Sequence, residues 1–309
     1  GTNRDLHSFP TRRSSDLGRE LLFAVVSLSV GVILFEGGLS LRLSELSGAG
    51  RVIWRLISVG VVVTWGAAAL AARLLLDFPW PMALLLGALL TVTGPTVVIP
   101  LIQSIRPRGR GGTIIKWEVI TVDPVGAGLA VLVFEGVRGG YELEAATAGV
   151  FLGILKTILF GGGVGLAGAW LLGEPLRRLW IPDHLQEAFV LMGVVAALAG
   201  ANRLQPESGL LAVTAMGVAL ANRPGIAVQH IIEFKESLRV LLIGGLFLLL
   251  GARITPADLA GLSWGALAFA AVLILAARPL AVAASTVGSG LSLREKLFLS
   301  WMEIGRAHV

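Results

Sequence analysis

Residues 114–135 read IIKWEVITVDPVGAGLAVLVFE, an apolar run interrupted at depth by Glu118 and Asp123. It is as long as the roughly 20 residues an α-helix needs to cross the hydrocarbon core of a bilayer. Outward from this stretch, comparable runs recur near 20–41, 52–76, 82–103, 146–173, 187–202, 208–222, 238–253 and 261–287, and a tenth begins near 294. Residues 241–252, LLIGGLFLLLGA, show no period-two alternation, so barrel strands are excluded. In lipid the backbone must be paired within each segment, which leaves helices. The fold class expected is an all-α polytopic membrane protein.

Composition agrees with that expectation. Hydrophobic residues make up 55% of the 309 and charged residues 15%, with mean hydropathy +0.82. A soluble chain carries about a quarter charged residues. With no cysteine there is no disulfide or thiolate metal site. The net charge of +5 comes from loop arginines and implies no nucleic acid. GGGVGLAG, 161–168, lies inside an apolar run, where it serves close helix packing rather than a nucleotide, and nothing calls for a cofactor.

The two ends differ from what lies between them. DLHSFPTRRSSDL (5–17) and EIGRAHV (303–309) correspond to translations of sequencing-adapter DNA. The organisation expected is therefore 1–17 and 303–309 adapter-derived, flanking an 18–302 transmembrane domain truncated at both ends, with about nine full spans and the start of a tenth.

Loop charge sets the orientation. The loops near 42–51, 104–116, 174–186, 223–237 and 288–296, with their flanks, hold fourteen Lys and Arg, while the alternate loops hold Arg73, Arg138, Arg203 and Arg253. By the positive-inside rule the first set is cytoplasmic, in a cell (inner) membrane. Trp54, Trp80, Trp117, Trp170, Trp180 and Trp264 fall near span ends, as an aromatic belt requires.

A few ionisable residues remain at membrane depth: Glu36, Glu118, Asp123, Lys156 and Arg278. Each costs roughly 2.5 to 3.5 kcal/mol there and needs a reason. Glu118 and Asp123 are about 140° apart on a helical wheel, so they point different ways and do different jobs. Upstream, TVTGPTVVIP (91–100) sets Gly94 and Pro95 in mid-span, which removes a backbone donor and breaks the helix near 93–96. The hydroxyls of Thr91 and Thr93 and freed carbonyls can then line a cation site, because discontinuous helices mark ion sites in secondary transporters. A broken helix followed by a helix with a deep aspartate outlines such a site at Asp123; a proline kink with snorkelling acids is the plainer account. Arg278 needs a buried carboxylate, for which Glu118 is the chosen partner in a structural ion pair. Glu36 is either a site ligand or an interfacial acid, and Lys156 snorkels or is paired.

LFEGGLSL (34–41), TGPTVVIPLI (93–102), WEVITVDPVGAGLAVLVFE (117–135), ARPLAV (277–282) and LFLSWM (297–302) together resemble bacterial cation:proton antiporters of the NhaP type, the monovalent cation:proton antiporter-1 family. The resemblance covers 18–302. It implies an inverted-repeat bundle with crossing broken helices, a dimerisation part and hence a homodimer, a mobile core and alternating access. It casts Asp123 as the ion- and proton-binding aspartate, Glu118 as the family's glutamate with Arg278 its partner, Glu36 as the acidic ligand of an earlier helix and Thr93 as the broken-helix threonine. The substrates implied are Na+ or K+ and H+. Val122 stands where the family usually has asparagine, Val119 where serine is frequent, and Gly94 where aspartate is usual. With Val122 unable to titrate, Asp123 is left as one carrier carboxylate, so one proton exchanges for one cation without net charge. A cation channel is the alternative class. An intramembrane aspartyl protease would need a second deep aspartate.

Overall fold

The computed structural model describes residues 11–92, 109–138, 143–226 and 263–302, with single positions 98, 102, 105, 107, 244, 245, 248 and 251. The regular structure among the described residues is helical, without a strand. It comprises α1 (Thr11–Leu39), α2 (Gly50–Leu75), α3 (Trp80–Leu89), α4 (Gly111–Arg138), α5 (Leu143–Arg177), α6 (Asp183–Leu204), α7 (Ser208–Ala221), α8 (Trp264–Ser285) and α9 (Leu293–Met302). Among the described residues, five helices are long and apolar enough to cross a membrane: α2, α4, α5, α6 and α8. The chain is thus an all-α polytopic membrane protein. The span expected at 238–253 lies outside the described residues except for four positions. Helix α1 begins inside the segment read as adapter-derived.

Local chemistry sets the helix ends. Pro79 precedes α3 and Pro81 fills its first turn, where a missing N–H costs nothing. Ser263 caps α8 by accepting from the Ala266 amide. Ser292 and Glu295 form a reciprocal capping box at α9: the Glu295 carboxylate accepts from the Ser292 amide, and the Ser292 hydroxyl accepts from the Glu295 amide. Inside α8, Pro279 cannot continue the regular ladder, and a π-helical turn over Leu273–Ala277 takes up the misfit just before it.

Two apolar cores organise the packing. The first joins α1, α5, α6 and α7 through Phe35, Leu172, Val194 and Met216. The second joins α2, α4, α8 and α9 through Ile53, Ile120, Val282 and Leu299, and α4 also meets α3 at Val122 and Ala88. Helix α7 was expected as an ordinary span. It has only 14 residues, about 21 Å at 1.5 Å per residue, against a hydrocarbon core of about 30 Å. It lies buried instead in the first bundle, seated by glycines: a Cβ on Gly38 of α1 would fall 2.6 Å from the Thr214 carbonyl oxygen. The two bundles meet along α4, where Ile120 fills the space left by Gly37 of α1 and Gly128 lies beside Thr157 of α5.

Most of the belt tryptophans are exposed on the outer surface, Trp264 at 87%. Trp117 is the exception. Expected at the interface, it is 8% exposed because α4 is enclosed by the second core at that level.

Candidate functional site

Helix α4 passes between the two bundles and carries both deep acids. Glu118 is 2% exposed and Asp123 8%. Their angular separation sends them to different neighbours. The Glu118 carboxylate meets Arg278 of α8, which donates from Nη1 to Oε1 at 2.6 Å and from Nη2 to Oε2 at 2.9 Å. This parallel two-bond geometry is the strong form of a guanidinium–carboxylate contact. Arg278 Nη2 also donates to the Leu299 carbonyl at 3.4 Å, so one guanidinium ties α4, α8 and α9 together.

Asp123 lies on the face of α4 directed at the end of α3. Gly126, one turn beyond it, shares that face. A Cβ there would lie 3.0 Å from Thr91 Oγ1 and 3.2 Å from the Val92 amide nitrogen. Only glycine lets the helix approach this backbone so closely. Helix α3 stops at Leu89, and the chain turns at Leu90–Thr91. The Thr91 hydroxyl, buried at 2% exposure, donates to the Ala88 carbonyl at 2.7 Å. Helix α3 therefore ends beside this face of α4. Thr93, Gly94 and Pro95 lie outside the described residues.

Glu36 is buried on α1 at 6% exposure, next to Gly37, whose position opposite Ile120 lies one turn before Asp123. The structure sets Thr91 against Gly126 and Gly37 of α1 against Ile120, each one turn from Asp123, and brings Glu118 to Arg278. Lys156 lies apart, on the exposed apolar side of α5. Gly126, which follows Asp123 in the sequence motif, brings this face of α4 against Thr91 and Val92. Among the described residues no group of three His, Cys, Asp or Glu is placed to hold a metal ion.

The fold is that of a membrane-embedded, all-α polytopic protein. Residues 16–309 match the model of the sodium/hydrogen exchanger transmembrane family, and the chain belongs to that family. It is 32% identical over 288 residues to the K(+)/H(+) antiporter NhaP of Alkalimonas amylolytica, covering 92% of this chain and 49% of that one. It is 29% identical over 281 residues to the K(+)/H(+) antiporter NhaP2 of Shewanella sp. (strain MR-4), covering 91% and 49%. The chain thus spans about half the length of these curated relatives. The structure of the sodium proton antiporter MjNhaP1 from Methanocaldococcus jannaschii matches it with a TM-score of 0.80 at 22% identity, over 94% of this chain and 74% of that one. At that identity the likeness establishes a shared fold.

Proposed function

We propose that this chain forms the ion-translocating part of a secondary antiporter that exchanges a monovalent cation, Na+ or K+, for H+. The observation that carries the proposal is the division of labour on α4. The Glu118 carboxylate is occupied by a bidentate arginine, while Asp123 lies on the face that Gly126 presses against the end of α3. One carboxylate is structural and the other is the carrier. Proton and cation compete for Asp123, Thr91 and Thr93 add oxygen ligands, and Glu36 supplies a second acidic group from the facing bundle. The antiporter names of the relatives support the same reading.

Alternating access follows from two separate apolar cores that meet at a seam lined by Gly37, Ile120, Gly128 and Thr157. Small and apolar surfaces allow one bundle to shift against the other without breaking strong bonds. The protein works as a homodimer in the cell membrane, with the arginine-rich loops in the cytoplasm and 18–302 as the exchanger domain. With one carrier carboxylate the exchange is electroneutral.

The test is flux in proteoliposomes of the complete protein. An imposed pH gradient should drive saturable cation uptake whose rate does not change with a clamped membrane potential. Non-saturating, potential-driven flux would identify a channel instead.

A further inference from the structure

We infer that the C-terminal end of α5 is a binding site for the headgroup of an anionic phospholipid. Glu174 is the hub of a compact charge cluster. Its Oε1 accepts from Arg178 Nε at 2.7 Å and from Arg177 Nη2 at 3.0 Å, and its Oε2 accepts from Arg223 Nη2 at 2.6 Å. Three guanidiniums against one carboxylate leave these four side chains with a net charge of +2.

The arginines are not equivalent. Arg223 is spent on structure: its Nη1 donates to the Trp170 carbonyl at 3.1 Å, and it lies where a Cβ on Gly173 would stand. Arg177 and Arg178 each give Glu174 a single nitrogen and remain about half exposed, at 48% and 54% of their side chains. Both guanidiniums are therefore within reach of a ligand from outside the helix bundle.

The chain end that presents them is fixed. The Leu179 amide donates to the Leu176 carbonyl and the Trp180 amide to the Pro175 carbonyl, the double bond of a Schellman cap. Leu179 takes the left-handed position, φ 53°, usually given to glycine. The cap holds Arg178 over the Trp180 ring, 5.4 Å from its centroid.

The site has a bilayer ligand's two halves. It lies at the terminus of the membrane-crossing segment Leu152–Arg177, at headgroup depth. Trp170, Leu171, Leu179 and Trp180 around it are all exposed, between 61% and 76%. A phosphodiester matches the half-exposed guanidiniums, and acyl chains match the apolar rim. A basic pocket between membrane helices is a recognised headgroup site. This inference stands apart from the transport reading and does not depend on it.

The experiment titrates detergent-solubilised protein with phosphatidylglycerol, phosphatidylcholine or inorganic phosphate and follows thermal stability, with native mass spectrometry counting retained lipids. Wild type should retain phosphatidylglycerol in preference to phosphatidylcholine by roughly fivefold for each half-exposed arginine. Arg177→Gln/Arg178→Gln should bring that preference to within about twofold of parity. Inorganic phosphate without lipid should not stabilise; if it matches phosphatidylglycerol, the site is an anion site and not a lipid site. Equal retention of the two lipids by wild type, or an unchanged preference in the double variant, overturns the inference. Should the double variant not fold, brominated phosphatidylglycerol decides on wild type and Trp180→Phe. The Trp180 share of the quenching must exceed that produced by brominated phosphatidylcholine, and parity overturns the inference.

Discussion

Arg278 and Glu118, 160 residues apart in the chain, meet inside the membrane through two parallel hydrogen bonds of 2.6 and 2.9 Å. The pair fastens α8 to α4 at the level where α4 carries its other acid. Removing either partner strands a buried charge, at a cost of about 3 to 5 kcal/mol, whereas removing both leaves no charge unpaired. Glu118→Ala and Arg278→Ala should each lower thermal stability in detergent sharply, and the double variant should be more stable than the sum of the two losses. Strictly additive losses would mean the contact carries no coupling energy.

The pair also shows what the sequence could and could not display. That Arg278 needs a partner follows from the cost of its charge at depth, and few carboxylates lie deep enough to serve. The positions of α2, α4, α5, α6 and α8 were legible because apolar runs of about 20 residues have one explanation in this composition. The depth of α7 was not. Its run, 208–222, was read as a span, and its burial comes from glycine contacts with α1 and α5 that no local pattern encodes. Trp117 illustrates the same limit, since nearness to a span end cannot show whether another helix covers the ring.

The glycine contacts of α7 give a direct comparison. A methyl group on Gly38 would lie 2.6 Å from the backbone oxygen of Thr214, so Gly38→Ala must push two helices apart. A loss of about 1 to 3 kcal/mol is expected from such overpacking. Gly162, with nothing within 4 Å of the added carbon, should accept alanine with no loss and a gain of up to about 1 kcal/mol. Thermal unfolding of the two variants in detergent should order them with Gly162→Ala the more stable; the reverse order would contradict the crossing.

Two carboxylates outside the spans set opposing pH dependences. Hydrogen bonds from Ser292 hold Glu295 below its usual value of 4.5. It therefore contributes stability that is present above pH 4.5 and is lost as pH falls through its lowered value. Glu207 has the opposite sign. Burial pushes its carboxyl above 4.5, so the folded state holds the proton more tightly, and stability falls as pH rises from 4.5 through the raised value. Glu207→Gln should raise the melting temperature near pH 8 and leave it nearly unchanged near pH 4. Equal shifts at both pH values would show that the effect is not protonation.

Orientation can be read with one residue. The cysteine-free chain allows a single cysteine at position 109, in the loop that Arg106, Arg108, Arg110 and Lys116 make basic. An impermeant thiol reagent should label it in inside-out vesicles and not in intact cells. Labelling from outside intact cells would reverse the proposed topology.

In the proposed exchange cycle one carboxylate, Asp123, carries proton and cation in turn. The most direct test is the effect of Asp123→Asn, in the complete protein in everted vesicles, on cation-dependent dissipation of an imposed pH gradient. The substitution keeps the side chain's size and removes its charge. Glu118→Gln/Arg278→Met, made alongside, reports how much activity follows from loss of the structural pair alone. Asp123→Asn should abolish dissipation by Na+ and by K+ while the protein still folds and inserts. Dissipation at the wild-type rate in that variant would contradict the carrier role of Asp123.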